Sequence, residues 1–230
     1  MGFRVYVLLF FFLLSGCGGF RGGIESVPYA GDIEPQQTST NRTWPHEIIL
    51  PGLTAHLSLN NTIRTYQYEV MLYVLPTYLN FSDEFQHRDA ESLELTLQIT
   101  AHNSGVTIDP RRLILAVDDK EFRPTAVWVN NLQRERQVID AYVTARRQAS
   151  PDQSLPIPRS SEWRDAVTAL VTIRPGEKSP RFVVTFSAPL PSPSPDRALS
   201  LNLIPAISEP ILFDKSLIRF KPLRWSEGYS

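Results

Sequence analysis

Nineteen prolines spread along 230 residues exclude long helices as the main element of this chain. A proline inside a helix removes a backbone hydrogen bond and clashes with the preceding turn. Between the prolines, short runs alternate apolar and polar residues with a period of two. The clearest run is Leu93–Ala101, in which every odd position is apolar and every even position is polar. This alternation predicts a strand with one buried face and one solvated face.

The same alternation recurs in further segments, and turn-forming residues separate them. These segments are residues 53–59, 66–74, 113–117, 167–173, 182–186 and 199–203. Asp118-Asp119-Lys120 and Pro175-Gly176-Glu177 predict tight turns. Prolines at every second position from 189 to 195 predict an extended loop. Eight or nine short strands at this spacing favour a mainly β fold, an antiparallel two-layer sandwich, with a closed barrel as the alternative.

Residues 131–148 depart from the period of two. Their apolar positions Leu132, Ile139, Tyr142 and Val143 recur at helical spacing among charged residues, and no glycine or proline interrupts them. We therefore predict one inserted helix over about 131–148. The favoured interpretation is a helix that covers one end or edge of its own sandwich. The alternative is a helix that binds a partner.

The N-terminal residues carry a different pattern. Arg4 precedes an unbroken apolar run of ten residues, 5–14, and the sequence Ser15-Gly16-Cys17 follows. A helix of that length reaches about 15 Å, half of a hydrocarbon core about 30 Å thick, so the run is too short to span a bilayer. A positive charge, a short apolar run and small residues before a cleavage point are typical of a secretion signal.

Leu14-Ser15-Gly16-Cys17 resembles the lipobox of bacterial lipoprotein precursors. The resemblance implies cleavage before Cys17, a diacylglycerol thioether on that residue, and acylation of the new amino group, for example by palmitate. Gly18 stands where aspartate tends to retain such lipoproteins in the inner membrane. The resemblance therefore implies the periplasmic face of a bacterial outer membrane, or the outer face of the single membrane in a Gram-positive host. The alternative is an ordinary signal peptide that leaves Cys17, the only cysteine, as a thiol.

These patterns divide the chain into three regions. Residues 1–16 are predicted to be a lipoprotein signal peptide, residues 17–45 a lipid-anchored flexible tether, and residues 46–230 a β-sandwich domain. The tether is predicted because residues 18–43 are rich in Gly, Pro, Gln, Ser and Thr and show no sustained hydrophobic period.

Part of the predicted domain resembles a known fold. An Asn103-Ser104 turn, the Asp-Asp-Lys turn, an insertion, and a Pro-Gly-Glu turn before a phenylalanine-rich strand are similar to immunoglobulin-like domains of envelope lipoproteins. The resemblance covers about residues 93–203 and implies an immunoglobulin-like β-sandwich. It carries no residue-level activity with it.

No group of side chains predicts catalysis, a cofactor or a metal. The four histidines lack both the i, i+2 and the i, i+4 spacing of metal ligands. Asp83, Glu84 and His87 form one weak cluster that loop solvation explains, and Asp118 with Asp119 lacks the repeated acidic spacing of a calcium loop. The chain contains no Gly-x-Ser-x-Gly sequence. We therefore assign no catalytic, cofactor-binding or metal residue.

Without a catalytic motif, binding functions are favoured over catalysis. A formal net charge of −1 without a basic stripe argues against a nucleic-acid partner. We expect a non-catalytic protein-interaction or accessory module, attached to the membrane through lipid on Cys17, with another envelope protein as its partner. The alternative is a glycan or small-ligand binding module that uses one of the tryptophans at positions 44, 128, 163 and 225. A hydrolase with dispersed acid and base residues is the third possibility.

Overall fold

The computed structural model describes residues 17–32, 34–36, 46–71, 75–80, 87–88, 92–150, 154–208 and 217–229. Within these residues the chain forms two large antiparallel sheets around one main hydrophobic core, together with a small two-stranded sheet and one α-helix. This arrangement confirms the predicted mainly β sandwich with an inserted helix.

The strands are short, as the spacing of the prolines requires. In chain order they are β1 (Cys17–Ala30), β2 (Glu47–Leu50), β3 (Leu53–Leu59), β4 (Ile63–Met71), β5 (Leu75–Asn80), β6 (His87–Arg88), β7 (Leu93–Ala101), β8 (Val106–Ile108), β9 (Ile114–Val117), β10 (Lys120–Phe122), β11 (Pro124–Asn130), β12 (Arg164–Ala166), β13 (Val171–Ile173), β14 (Phe182–Phe186), β15 (Leu199–Asn202) and β16 (Leu217–Tyr229). The helix α1 spans Leu132–Gln148, and single 3₁₀ turns cover Pro110–Arg112, Ser160–Glu162 and Ile204–Ala206.

The first sheet has the order β12-β11-β14-β7-β3-β2. The strand predicted from the clearest alternation, β7, lies in its middle, and the side chains of all its odd positions are buried. The second sheet faces it with the order β10-β9-β15-β16-β1-β4-β5, and β6 also pairs with β4. Leu115, Leu201 and Ile218 of this sheet complete the core from the other side. β8 and β13 form a separate two-stranded sheet.

The N-terminal part of the described chain corrects one prediction. A flexible tether over residues 17–45 is wrong for residues 17–30, because they form β1, which is paired with β16 on one side and with β4 on the other. Of the remaining tether, only residues 31–32 and 34–36 are described. The glycines in this segment serve strand packing. A Cβ at Gly23 would overlap the carbonyl oxygen of Ile63 and lie 2.8 Å from its carbonyl carbon, at a point where the register between β1 and β4 shifts.

The second sheet extends past the core as a stalk. We define the stalk as residues 17–24 of β1, Ile63–Met71, Leu75–Asn80 and residues 224–229 of β16. None of the stalk residues whose side chains the structure describes belongs to the main core. Trp225 instead packs with Val27 and Leu223 in a small separate cluster where the stalk joins the sandwich.

Most of the predicted turns and loops are also found. Asp118 has a φ of 48° in the turn between β9 and β10, and Gly176 has a φ of 77° in the turn after β13. Residues 189–198 contain no strand, as their prolines predict. Leu75–Asn80 pairs with β4, and the expected strand over residues 167–173 is formed only at Val171–Ile173.

Candidate docking surface

The helix α1 is the element that departs most from ordinary packing, because none of its side chains is buried. A helix of a globular domain normally buries one apolar face against a neighbouring layer. The interpretation of α1 as a cover for its own sandwich is therefore wrong. Glu135, Val138 and Tyr142 are only half-buried, and the closest neighbouring element is the 3₁₀ turn Ser160–Glu162.

Polar contacts fix the first turn of α1. The Asn131 side chain accepts a hydrogen bond from the Arg134 backbone N–H at 3.1 Å, which is an N-cap. Asp165 of β12 holds the same two residues, because it accepts from Asn131 Nδ2 at 3.2 Å and from Arg134 Nη1 at 3.4 Å. The Asn131 N–H also donates to the Trp163 carbonyl at 2.8 Å. These contacts set the direction in which the helix leaves β11.

Charges at both ends support the helix itself. Glu135 lies in the first turn, and Arg146 and Arg147 lie in the last, so their signs oppose those of the helix dipole. A helix of 17 residues is close to the length at which an isolated helix is marginal in water. The stability of α1 therefore comes from its cap and its charges, with little contribution from tertiary burial.

Three large apolar side chains form a line on the solvent side of α1. Leu132 is 65% exposed, Ile139 43% and Val143 38%. Their separations of seven and four residues place them on one face of a helix. We call Leu132, Ile139 and Val143 the docking stripe. The sequence contains this pattern, but periodicity alone does not distinguish an apolar stripe that is packed from one that is exposed.

The surroundings of the docking stripe are mainly basic. Four arginines and two acidic residues belong to α1. At 100° per residue, Arg136, Arg146 and Arg147 project within about 60° of the stripe, and so does Glu135, whereas Arg134 projects from the opposite side. A surface that covers the stripe therefore meets an apolar centre whose border carries more positive than negative charge.

The start of α1 and Cys17 are well separated along the sandwich. α1 follows β11 just after Val129, which is paired with Phe182 of β14. Asn61 follows the end of β3, and its Nδ2 donates to Ser26 Oγ at 2.9 Å. From Ser26, β1 runs nine residues further to Cys17, about 30 Å at the usual rise of a strand. Cys17 is the first residue of β1, and its backbone is paired with Met71.

The other residues considered from the sequence have structural contacts or lie outside the described residues. Asp118 binds Arg197 at 2.7 Å and Trp225 is buried, so neither is available for a ligand. Trp44, Asp83 and Glu84 lie outside the described residues. His102 Nε2 contacts the Thr54 hydroxyl at 2.9 Å.

No group of three or more His, Cys, Asp or Glu side chains is arranged to hold a metal ion in the described part of the chain. No helix among the described ranges has the length and apolar character needed to cross a membrane.

The described surface includes a cleft and a groove that are open to solvent. A cleft of about 580 Å³ is bordered by Tyr29, Arg219 and Lys221, and Lys221 Nζ binds Glu34 there at 2.7 Å. The Lys221 ammonium, through this hydrogen bond and its charge, lowers the pKa of Glu34. A smaller groove of about 330 Å³ is lined in part by Trp128.

Comparisons with protein-family models, with curated proteins and with solved structures gave no match to this chain.

Proposed function

We propose that this chain is a lipid-anchored protein of the cell envelope that binds a partner protein through α1 and has no catalytic role of its own. The observation that carries the proposal is a capped helix that buries none of its residues and exposes Leu132, Ile139 and Val143 in one line. Three exposed apolar residues on one face match the pattern by which helices bind in a groove of another protein.

The character of the docking stripe defines the partner. An apolar groove with acidic residues along its rim complements the stripe and the arginines beside it. Binding in such a groove supplies the tertiary contacts that α1 lacks within its own chain. The proposed partner is thus a second envelope protein with an acid-bordered apolar groove.

The proposed anchor is Cys17. Its support is the sequence Leu14-Ser15-Gly16-Cys17 after a short apolar run. Gly18 in place of aspartate favours the periplasmic face of an outer membrane. The stalk begins at Cys17 and joins the sandwich beyond Asn61, whereas α1 leaves β11 level with Leu97 in the middle of β7. A protein with this order holds its docking helix away from the membrane to which it is attached.

Co-purification from the native envelope in mild detergent tests the docking proposal. Ile139→Ser removes the centre of the docking stripe, and Leu217→Ser removes a side chain of nearly equal exposure, 44% against 43%, on β16. Fully burying such a side chain contributes about 1.5–3 kcal/mol, and Ile139 has only 43% of its surface left to bury, so we expect Ile139→Ser to weaken capture of a defined partner about three- to ninefold. Leu217→Ser should retain that partner. Equal retention by both variants contradicts docking through α1.

A separate experiment tests the anchor. The intact mass of the protein extracted from membranes should show cleavage before Cys17 and added acyl groups. The Cys17→Ser variant should carry no acyl groups and should no longer fractionate with the membrane. An unmodified thiol in the membrane fraction contradicts lipid attachment.

The groove beside Trp128 supports a second candidate, the binding of a glycan or a small ligand. Aromatic side chains in a groove can stack on the apolar faces of sugar rings. Titration with soluble oligosaccharides of glucose and of N-acetylglucosamine, followed by calorimetry, tests this function. A heat of oligosaccharide binding that is lost in Trp128→Ala and retained in Trp163→Ala supports glycan binding at this groove.

A further inference from the structure

One face of the stalk carries stacked aromatic side chains close to Cys17. Phe20 of β1 is paired with Tyr68 of β4, and their rings stack with centroids 5.1 Å apart. Tyr66 continues the row at 6.4 Å from Tyr68. Phe20 is 45% exposed, which is unusual for a phenylalanine in a paired strand. We call Phe20, Tyr66 and Tyr68 the aromatic row.

Glycines allow these rings to lie against the backbone. Gly22 is paired with Tyr66, and a Cβ at Gly22 would overlap the tyrosine ring. Gly228 is paired with Phe20, whose ring would lie 3.3 Å from a Cβ at that glycine. The row is therefore a flat aromatic surface laid over glycine backbone.

The opposite face of the same strands is charged and polar. Arg21 forms an ion pair with Glu227, its cross-strand neighbour on β16. Gln67 and Glu69 alternate with the tyrosines of β4, so they project to this second face. The stalk consequently has an aromatic side and a charged side, which is the division expected of a sheet at the boundary between a bilayer and water.

We propose that the aromatic row lies in the headgroup region of the membrane next to Cys17 and holds the stalk inclined against the bilayer. This inference rests on the proposed lipid anchor. Phe20 follows Cys17 by three residues, about 10 Å along β1, whereas the interfacial layer on each side of a bilayer is about 5–8 Å thick. An upright stalk places the row above this layer, and an inclined stalk brings it in.

A lipid interface suits the row better than a protein groove for two reasons. Tyrosine combines an apolar ring with a hydroxyl that bonds to headgroups or water, and it is enriched at membrane interfaces for that reason. The anchor also keeps the row beside the bilayer at all times, so even a weak affinity for lipid is sufficient for contact.

Lipid quenching of an introduced tryptophan tests the inference. The full protein, extracted from its membrane, is reconstituted into phosphatidylcholine vesicles with or without brominated acyl chains. Phe20→Trp places a probe in the row, and Tyr68→Trp is a second probe in case the first disturbs folding. Glu69→Trp is the matched control at the same height on the charged face, and Leu132→Trp is a distant control on α1. The emission of the parent protein is subtracted.

We expect bromine quenching at position 20 or 68 to be at least about threefold stronger than at position 69, and absent at position 132. Equal quenching at positions 20, 68 and 69, or none at either row position, overturns the inference. If two chains cross-link through the aromatic row and bromine does not quench the probes, the row binds a second copy of the chain, and the inference is overturned as well.

The same vesicle samples distinguish failure of the aromatic contact from failure of the proposed lipid anchor. An acylated parent protein that floats with the vesicles while the row is unquenched removes only the aromatic contact. A parent protein that neither carries acyl groups nor floats contradicts the anchor and the contact together.

Discussion

Replacing Gly23 with alanine distinguishes a packed strand from a flexible tether. In the structure a Cβ at this position overlaps the Ile63 carbonyl oxygen and lies 3.0 Å from the Arg64 Cα. All of these neighbours are backbone atoms of β4, so no side-chain rotation relieves the overlap. The two strands must separate where their register shifts, and the paired backbone groups nearby must lose hydrogen bonds.

The size of the effect follows from these contacts. Overpacking against a well-fitted neighbour costs about 1–3 kcal/mol, and each net hydrogen bond that is lost adds about 1 kcal/mol. Alanine is otherwise preferred over glycine in a strand by about 0.5–1 kcal/mol, which offsets part of that loss. We therefore expect Gly23→Ala to lower the free energy of unfolding by about 2–3 kcal/mol. In a flexible tether the same change has almost no effect, because no native conformation opposes the new methyl group.

Urea unfolding of the full chain measures this difference. With an m-value of about 2–3 kcal/mol per molar, the midpoint should fall by about 1 M. Gly228→Ala is a control within the same stalk, since its Cβ lies 3.3 Å from the Phe20 ring, which can shift, and its nearest backbone atom, the Gly19 oxygen, is at an ordinary contact distance of 3.7 Å. Limited trypsin digestion should cleave after Arg21 faster in Gly23→Ala than in the control. An unchanged midpoint and unchanged cleavage refute the strand assignment of residues 17–30.

Other predictions address the core, an ion pair and the helix. Leu97→Ala, at a fully buried position of β7, should cost about 2–5 kcal/mol in urea unfolding, and an effect under 1 kcal/mol contradicts the packing described. The Arg111 side chain lowers the pKa of Asp109 by hydrogen bonding. The stabilisation that the ionised Asp109 carboxylate gains from Arg111 is complete above the pKa that Asp109 has in the unfolded chain. It is lost as the pH falls through the lower pKa that Asp109 has in the folded protein. The destabilisation caused by Asp109→Asn at pH 7 should therefore shrink as the pH falls below the unfolded pKa of an aspartate, about 3.9, and a pH-independent difference contradicts the assignment. Asn131→Ala removes the N-cap of α1 and should speed hydrogen exchange in residues 132–138 several-fold without shifting the urea midpoint. A lower midpoint indicates that α1 supports the sandwich.

The sandwich and its helix were predictable because their signals are local. Alternation in Leu93–Ala101 reports which side chains share a face, and the structure buries all of the odd positions. The bounds of α1 agree with its helical spacing and with the N-cap at Asn131. In both segments a repeated pattern within a few residues determines the backbone period, and no distant contact is needed to recognise it.

The stalk was not predictable because its signals are long-range. Glycine has no side chain, so Gly22 and Gly23 add nothing to a hydrophobic period and suggest flexibility instead. Their native role depends on Tyr66 and Ile63, which are about forty residues away in the sequence. The close approach of two backbones is a property of the pair, and neither segment displays it alone.

The exposure of the docking stripe was hidden for a related reason. A hydrophobic period shows that α1 has an apolar side but does not show what lies against it. The ordinary expectation is burial on the parent domain, because most surface helices are stabilised in that way. Only the position of β12 and the direction set by Asp165 place Ile139 in solvent.

Strand pairing changes what the proposed anchor does for the docking helix. A flexible tether over residues 17–45 has a root-mean-square span of about 30 Å, close to the length of β1 between Cys17 and Ser26. A flexible tether and the paired stalk have similar lengths, so the distance from the membrane does not distinguish them. The paired stalk, however, restricts orientation as well as distance, because β1 is continuous into the sheet that covers the core. The proposed partner, held in the same envelope, would then meet α1 within a narrow range of positions, and the effective concentration of the docking stripe at that partner would be higher than a free tether allows.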